Sequence, residues 1–146
     1  IGSQRRRPGD ECGVLFIDVD GLKEINDTLG HAAGDGVLTT LAARIRDCIR
    51  AGDIVARMGG DEFLVILNDI HGIADAEAVA EKIRIASSGN IDGAGGSARV
   101  SVSIGVTLSN PVESADDIIA RADVAMYRAK QSGRDKVVTL LTTHAD

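Results

Sequence analysis

Two strand-like runs, Ile54 to Met58 and Phe63 to Leu67, are separated only by Gly59-Gly60-Asp61-Glu62. A Gly-Gly pair between such runs signals a tight hairpin, because the favoured two-residue turns need positive φ. Asp61 and Glu62 then stand at the tip of a rigid hairpin, where a water-excluding strand begins. Adjacent carboxylates there repel each other and lose hydration, and a divalent cation is the usual remedy. The plain alternative is a turn bearing two solvated acids.

A second acidic cluster bears on that choice. Gly13-Val14-Leu15-Phe16-Ile17 is a continuous apolar run, as expected of a strand covered on both faces. It ends in Asp18-Val19-Asp20-Gly21, which puts carboxylates at one edge of a sheet. If this strand lies beside the hairpin, Asp18, Asp61 and Glu62 converge. Two unit charges ~4 Å apart at an effective dielectric of ~20 interact by ~4 kcal/mol, so three ionised carboxylates need cations to stay together. Hard oxygen ligands select Mg²⁺ or Mn²⁺, and Mg²⁺ in such sites usually also holds substrate phosphates. Ordinary turn chemistry is the alternative for Asp18 to Gly21.

The remaining pattern alternates helices and strands. The expected elements are a strand over 12–18, a short helix over 22–29 and a longer helix carrying Leu38, Leu41, Ala42, Ile45, Cys48 and Ile49 on one stripe. The hairpin follows, then a helix over 74–87, a Gly-rich loop or hairpin tip over 90–97 and a period-two strand over 99–108. A helix begins near Ser114, with Ser114 and Asp117 in capping-box spacing, and stops at Gly133; a last strand covers 136–141. Hairpins and crossovers together predict an α/β (α+β) chain with a mixed or antiparallel sheet and helices on its faces.

The chain has 146 residues, which fits one domain, expected over 12–142 with 1–11 as a remnant or linker and 143–146 as a tail. Aromatic residues make up only 2%, so Val, Ile, Leu and Ala must build the core. The net charge of −6 argues against nucleic acid as a partner but not against a nucleotide held by local cations. Arg5-Arg6-Arg7 reads as a solvated basic run. Cys12 and Cys48 lack metal-ligand spacing and suit a reducing cytoplasm. No apolar run reaches the ~18 residues of a membrane span, so no membrane contact is expected here. The chain begins Ile-Gly-Ser and reads as a fragment, with any sensory or membrane-anchoring module outside it.

Asp18-Val19-Asp20-Gly21-Leu22-Lys23-Glu24-Ile25-Asn26-Asp27, then Gly34-Asp35, then Gly59-Gly60-Asp61-Glu62-Phe63, resemble the GGDEF family of diguanylate cyclases. The late segment Ala125 to Arg134 belongs to the same resemblance, which runs from about Val14 to about Val138. It implies a palm-like nucleotide cyclase fold with a central, mostly antiparallel five-stranded sheet. It implies a transferase that joins two GTP into cyclic di-GMP across a homodimer, with two Mg²⁺ or Mn²⁺ ions per site. Two such ions can activate the attacking 3′-hydroxyl and steady the leaving oxygen. By resemblance Asp18, the Val19 carbonyl, Asp61 and Glu62 hold the metals, and Asp61 matches the position of the general base. Lys23, near a helix start that favours anions, matches a phosphate-neutralising lysine. Lys130 and Arg134 match phosphate contacts, although cations at a helix C-terminus are ordinary.

Asn26 and Asp35 match the guanine contacts. A carboxylate can accept both the N1–H and the amino group of guanine, whereas adenine offers an unprotonated N1. A helix cap is the alternative for each. Arg50-Ala51-Gly52-Asp53 matches the family's inhibitory site for the cyclic di-GMP product, with a second cation expected from the third helix: Arg84, or Lys82. Arg can fork onto guanine O6 and N7. Two departures stand out. Leu22 replaces a frequent Phe, and Ile1 to Glu11 contains nothing like the usual D-x-L-T-x-L-x-N-R segment. Two further readings are a GTP-sensing module without turnover and a cyclic di-GMP effector. The intact set of Asp18, Asp61 and Glu62 weighs against both, because a pure binder need not keep a metal cluster.

Overall fold

Ten residues from Glu11 to Asp20 form β1, the middle strand of the sheet. The computed structural model describes residues 11–93 and 96–142, so the basic run Arg5 to Arg7, most of the expected remnant and the 143–146 tail lie outside the described residues. After β1 come α1 (Leu22–Leu29), α2 (His31–Asp47), β2 (Ile54–Arg57), β3 (Glu62–Ile70), α3 (Ile73–Ala86), β4 (Gly89–Gly93), β5 (Gly96–Leu108), α4 (Ala115–Gln131) and β6 (Val137–Thr139). The strand order is β2-β3-β1-β5-β4, all antiparallel, with β6 pairing parallel to β5. A mixed, mostly antiparallel sheet flanked by helices is thus present, with six strands where the sequence predicts five. The additional strand, β4, is the first half of the Gly-rich stretch, drawn into a ladder by the early residues of β5.

Both faces of β1 are covered, which explains its unbroken apolar run. Leu15, Ile17 and Val19 pack with Val37, Leu41 and Ile45 of α2 and Ala80 and Ile83 of α3. Val14 and Phe16 pack with Leu64 of β3 and Ile118, Ala122 and Met126 of α4. Each such fully buried aliphatic side chain stabilises the fold by about 1.5–3 kcal/mol. Because side chains alternate along a strand, Asp18 and Asp20 lie in phase with Val14 and Phe16, on the α4 side. Gly105 lets α4 approach this face closely: a Cβ there would stand 2.1 Å from the Ala122 carbonyl oxygen and 2.3 Å from the Met126 nitrogen.

Three local expectations are corrected. β1 runs through Asp20 rather than ending at Asp18, since Asp18 to Asp20 keep their register with Ser103 to Ser101 on β5; the turn is Gly21 alone, at φ +79°. The segment between β2 and β3 is not a two-residue positive-φ turn. Neither Gly59 nor Gly60 has positive φ, and the loop is closed by Met58 N–H donating to Glu62 O at 2.8 Å. The Arg57 guanidinium also donates to the carbonyls of Gly59 (3.2 Å) and Gly60 (2.8 Å). Finally, α2 starts at His31, so Asp35 lies inside the helix and is not its cap.

Candidate active site

The β1–β3 register sets Asp18 directly opposite Glu62. Asp61, one residue before β3, is tied to β1 because its carbonyl accepts the Val19 N–H at 3.0 Å. Asp18, Asp61 and Glu62 thereby offer carboxylate oxygens that all lie within 4.8 Å of one another. Asp18 Oδ1 is buried and makes no well-directed hydrogen bond, although Lys130 Nζ stands 3.1 Å away as an ion pair. Burial pushes the Asp18 carboxyl up to about 6; Lys130 opposes the shift, while Asp61 and Glu62 add to it. Glu62 is also raised, by burial first and then by Asp61 and Asp123, against Lys130. A desolvated, mutually repelling set of hard oxygens, one of them short of a donor, fits a small divalent cation.

Asp20 is the residue that sequence reasoning missed. It is 6% exposed and accepts hydrogen bonds from Ser101 Oγ (2.6 Å), Ser103 Oγ (2.7 Å) and the Asp135 N–H (3.0 Å). Lys130 Nζ adds an ion pair at 3.0 Å. Burial pushes the Asp20 carboxyl up, but these donors outweigh it and hold the group below its ordinary value. The Asp135 N–H is aimed back by two successive left-handed residues, Arg134 (φ 64°) and Asp135 (φ 50°), after Arg134 N–H closes α4 onto Ala129 O at 2.9 Å. The signal was present as Asp-x-Asp in a strand with Ser-x-Ser opposite, two polar pairs on one face.

Lys130, from the last turns of α4, also points at the Val19 carbonyl, 3.4 Å away. Arg134 lines a hollow of about 370 Å³ with Asp20, Gly21, Arg99 and Ser101. Arg99 was not singled out from the sequence; it shares the β5 face of Ser101 and Ser103. Lys23 is exposed on the first turn of α1, which no side chain caps. Asn26 and Gly34 meet where α1 and α2 cross: a Cβ on Gly34 would fall 1.7 Å from Asn26 Oδ1. Asp35, next in the chain, is exposed at the same crossing.

The Arg50 to Asp53 segment lies apart, between α2 and β2. Asp53 has a side chain only 3% exposed and accepts from the N–H groups of Arg50 (3.0 Å) and Asn68 (2.9 Å). Its carboxylate therefore locks the end of α2 to β3. The Arg50 side chain is 61% exposed, pairs with Asp53 at 3.5 Å and donates to the Asn68 carbonyl. Arg50 and Asp53 line a second hollow of about 370 Å³, whose α3 wall is Asp75, Ala78 and Val79. Arg84 is not brought to it. Arg84 is held instead by Glu81 (2.6 Å) and Asp135 (2.8 Å), on the side of Asp20, and those hydrogen bonds raise its pKa. The α3 cation whose charge reaches Cys48, another wall of the hollow, is Lys82.

The family model described as diguanylate cyclase, GGDEF domain, matches residues 2–136. The chain is 48% identical over 130 residues to diguanylate cyclase A of Treponema denticola, a match covering 88% of this chain and 35% of that protein. The chain thus spans about a third of the length of this curated relative. Among solved structures, the GGDEF domain of TpbB from Pseudomonas aeruginosa superposes with a TM-score of 0.86 at 40% identity, covering 92% of this chain and 84% of that one. The GGDEF domain of DgcB from Caulobacter crescentus, solved in complex with c-di-GMP, has a TM-score of 0.83 at 30% identity and covers 90% and 78%.

Proposed function

The chain belongs to the GGDEF family of diguanylate cyclases, and from that premise we propose that it condenses two GTP molecules into cyclic di-GMP with release of pyrophosphate. The carrying observation is the convergence of Asp18, Asp61 and Glu62 within 4.8 Å beside the cationic end of α4. Asp18, the Val19 carbonyl, Asp61 and Glu62 would hold two Mg²⁺ or Mn²⁺ ions. Bound there, the ions supply Lewis acidity to the attacking 3′-hydroxyl and the departing pyrophosphate oxygen. Asp61 accepts the hydroxyl proton or orients that hydroxyl. Lys23, Lys130 and Arg134 neutralise the triphosphate, and Arg99, which lines the same hollow as Arg134, adds to that neutralisation. Asn26 and Asp35, at the α1–α2 crossing, read the guanine edge. Two copies of the chain each present one GTP to the other.

Product feedback is part of the same proposal. Arg50, exposed on the hollow beside α3, forks onto a guanine of cyclic di-GMP, with Lys82 as the second cation because Arg84 is held by Glu81 and Asp135. Asp53 serves this site by holding Arg50, since its own oxygens are already bonded to backbone amides. No helix among the described residues is long and apolar enough to cross a membrane, and the reaction needs none. The test is incubation with GTP and Mg²⁺ followed by nucleotide separation. Wild type should form cyclic di-GMP, and Asp61→Ala should form none while staying folded. GTP bound by wild type without any product would favour the sensing module instead. Wild-type turnover by Asp61→Ala would remove Asp61 from the mechanism.

A further inference from the structure

Lys130 Nζ lies 3.1 Å from Asp18 Oδ1, 3.0 Å from Asp20 Oδ1 and 3.4 Å from the Val19 carbonyl oxygen. Asp18 and the Val19 carbonyl are the β1 ligands assigned above to the divalent ions. Asp20 is not, and it is fixed in place by Ser101, Ser103 and the Asp135 N–H. One ammonium thus bridges a fixed anchor and two cation ligands. An ammonium carries three donors on a flexible four-carbon stem, so it can keep one partner while exchanging others. A divalent ion demands the same oxygen lone pairs and repels a neighbouring positive charge, strongly where solvent is excluded.

We infer that Lys130 is a built-in competitor for the divalent cation and that Asp20 is the pivot on which it turns. With Lys130 seated on Asp18 and Val19, the cation is held weakly. A nucleotide phosphate gives the ammonium a new partner and draws it off those two oxygens, while Asp20 keeps it within reach. Metal and nucleotide therefore load together, and free divalent ion alone does not fill the site. This inference rests on the cation site proposed above and adds to it a coupling between loading events.

The test is Mn²⁺ binding, followed by the electron paramagnetic resonance signal of free Mn²⁺, on the full chain without nucleotide. Wild type, Lys130→Met and Arg134→Met are compared, with Lys130→Gln as a second removal of the ammonium and circular dichroism as the fold check. Loss of the competing charge should tighten Mn²⁺ binding by about tenfold or more in both Lys130 variants. Arg134→Met, which removes a charge of the same sign that does not touch Asp18, should change it by less than about threefold. A non-hydrolysable GTP analogue should then tighten Mn²⁺ binding by a larger factor in wild type than in Lys130→Met. Equal Mn²⁺ affinity in wild type and both Lys130 variants, or an equal gain in Arg134→Met, would overturn the competition and leave the cation site standing. Failure of all four proteins to bind Mn²⁺ even with the analogue present would overturn the site and the inference together.

Discussion

At the residue scale, Asp18 is held where its charged form is unfavourable. Its carboxyl is raised from 3.8 to about 6, chiefly by burial. A group with a raised folded-state pKa contributes stability that is fully present below its unfolded pKa and lost as pH rises through the folded one. For Asp18 that window runs from about 3.8 to about 6. The shift of about two units corresponds to ~3 kcal/mol at most, and Lys130 loses one partner if the charge is removed. With EDTA present, Asp18→Asn is therefore expected to exceed wild type in stability by about 1–3 kcal/mol at pH 8, with the gap narrowing by pH 5. Urea denaturation at the two pH values checks this, and a less stable variant at pH 8 would mean that the Lys130 pair outweighs desolvation. Gly34 permits a second expectation. Alanine there must push aside the Asn26 amide, 1.7 Å from the new Cβ, yet that amide is the end of a flexible side chain and alanine favours the helix. Gly34→Ala should keep its melting temperature and bind GTP about tenfold more weakly, as read by calorimetry. The cluster of Asp18, Asp61 and Glu62 was legible because two acidic ends of apolar runs, set side by side in a sheet, repel one another unless cations hold them. Asp20 was not, because Asp before Gly is also ordinary turn chemistry, and only the register with Ser101 and Ser103 shows that the strand continues through it.

At the element scale, the loop between β2 and β3 carries Asp61 and is braced by one side chain as well as by backbone bonds. Arg57 donates to the carbonyls of Gly59 and Gly60, and Val19 N–H fixes the Asp61 carbonyl. Arg57 is exposed, so losing its bonds costs only about 1 kcal/mol in stability. A misplacement of Asp61 by less than an ångström matters far more to chemistry. Arg57→Ala should thus cut the rate of cyclic di-GMP formation by about tenfold or more while shifting the melting temperature by only a few degrees. An unchanged rate would mean that the backbone bonds of Met58 and Val19 suffice. The two apolar runs foretold a hairpin, and the structure has one, but the Gly-Gly pair is not at positive φ. A longer loop braced by an arginine replaces the tight turn, and nothing in local propensity distinguishes the two. β4 lies where a loop or hairpin tip is expected, for a related reason: glycine-rich segments have low strand propensity, and this one is a strand only because β5 pairs with it. α4 was legible down to its cap, where Ser114 Oγ accepts the Asp117 N–H at 3.1 Å.

At the scale of the whole molecule, the proposed reaction asks for more than one nucleotide site. Cyclic di-GMP contains two phosphodiester bonds, each made by the hydroxyl of one nucleotide attacking the phosphate of the other. Among the described residues, one group of acidic side chains could hold metal ions, and on the proposed reading it serves one nucleotide. The proposed reaction therefore calls for two copies to meet, a requirement that periodicity and spacing in a single sequence cannot express. Each copy carries a net charge of −6, so approach is opposed by long-range repulsion. The chain also spans only 35% of the length of its Treponema denticola relative. If the active species is a weak dimer, its amount falls with the square of protein concentration. Below the dimer dissociation constant, tenfold dilution should lower specific activity about tenfold. Fusing the chain to a parallel two-stranded coiled coil replaces bulk concentration by an effective concentration near the millimolar range, and should make specific activity independent of dilution. Initial rates over a dilution series of both proteins, with sedimentation to report their oligomeric state, decide the matter. Constant specific activity of the unfused chain at concentrations where it sediments as a monomer would show that one copy completes the reaction, and the proposed pairing of two GTP-loaded copies would fall.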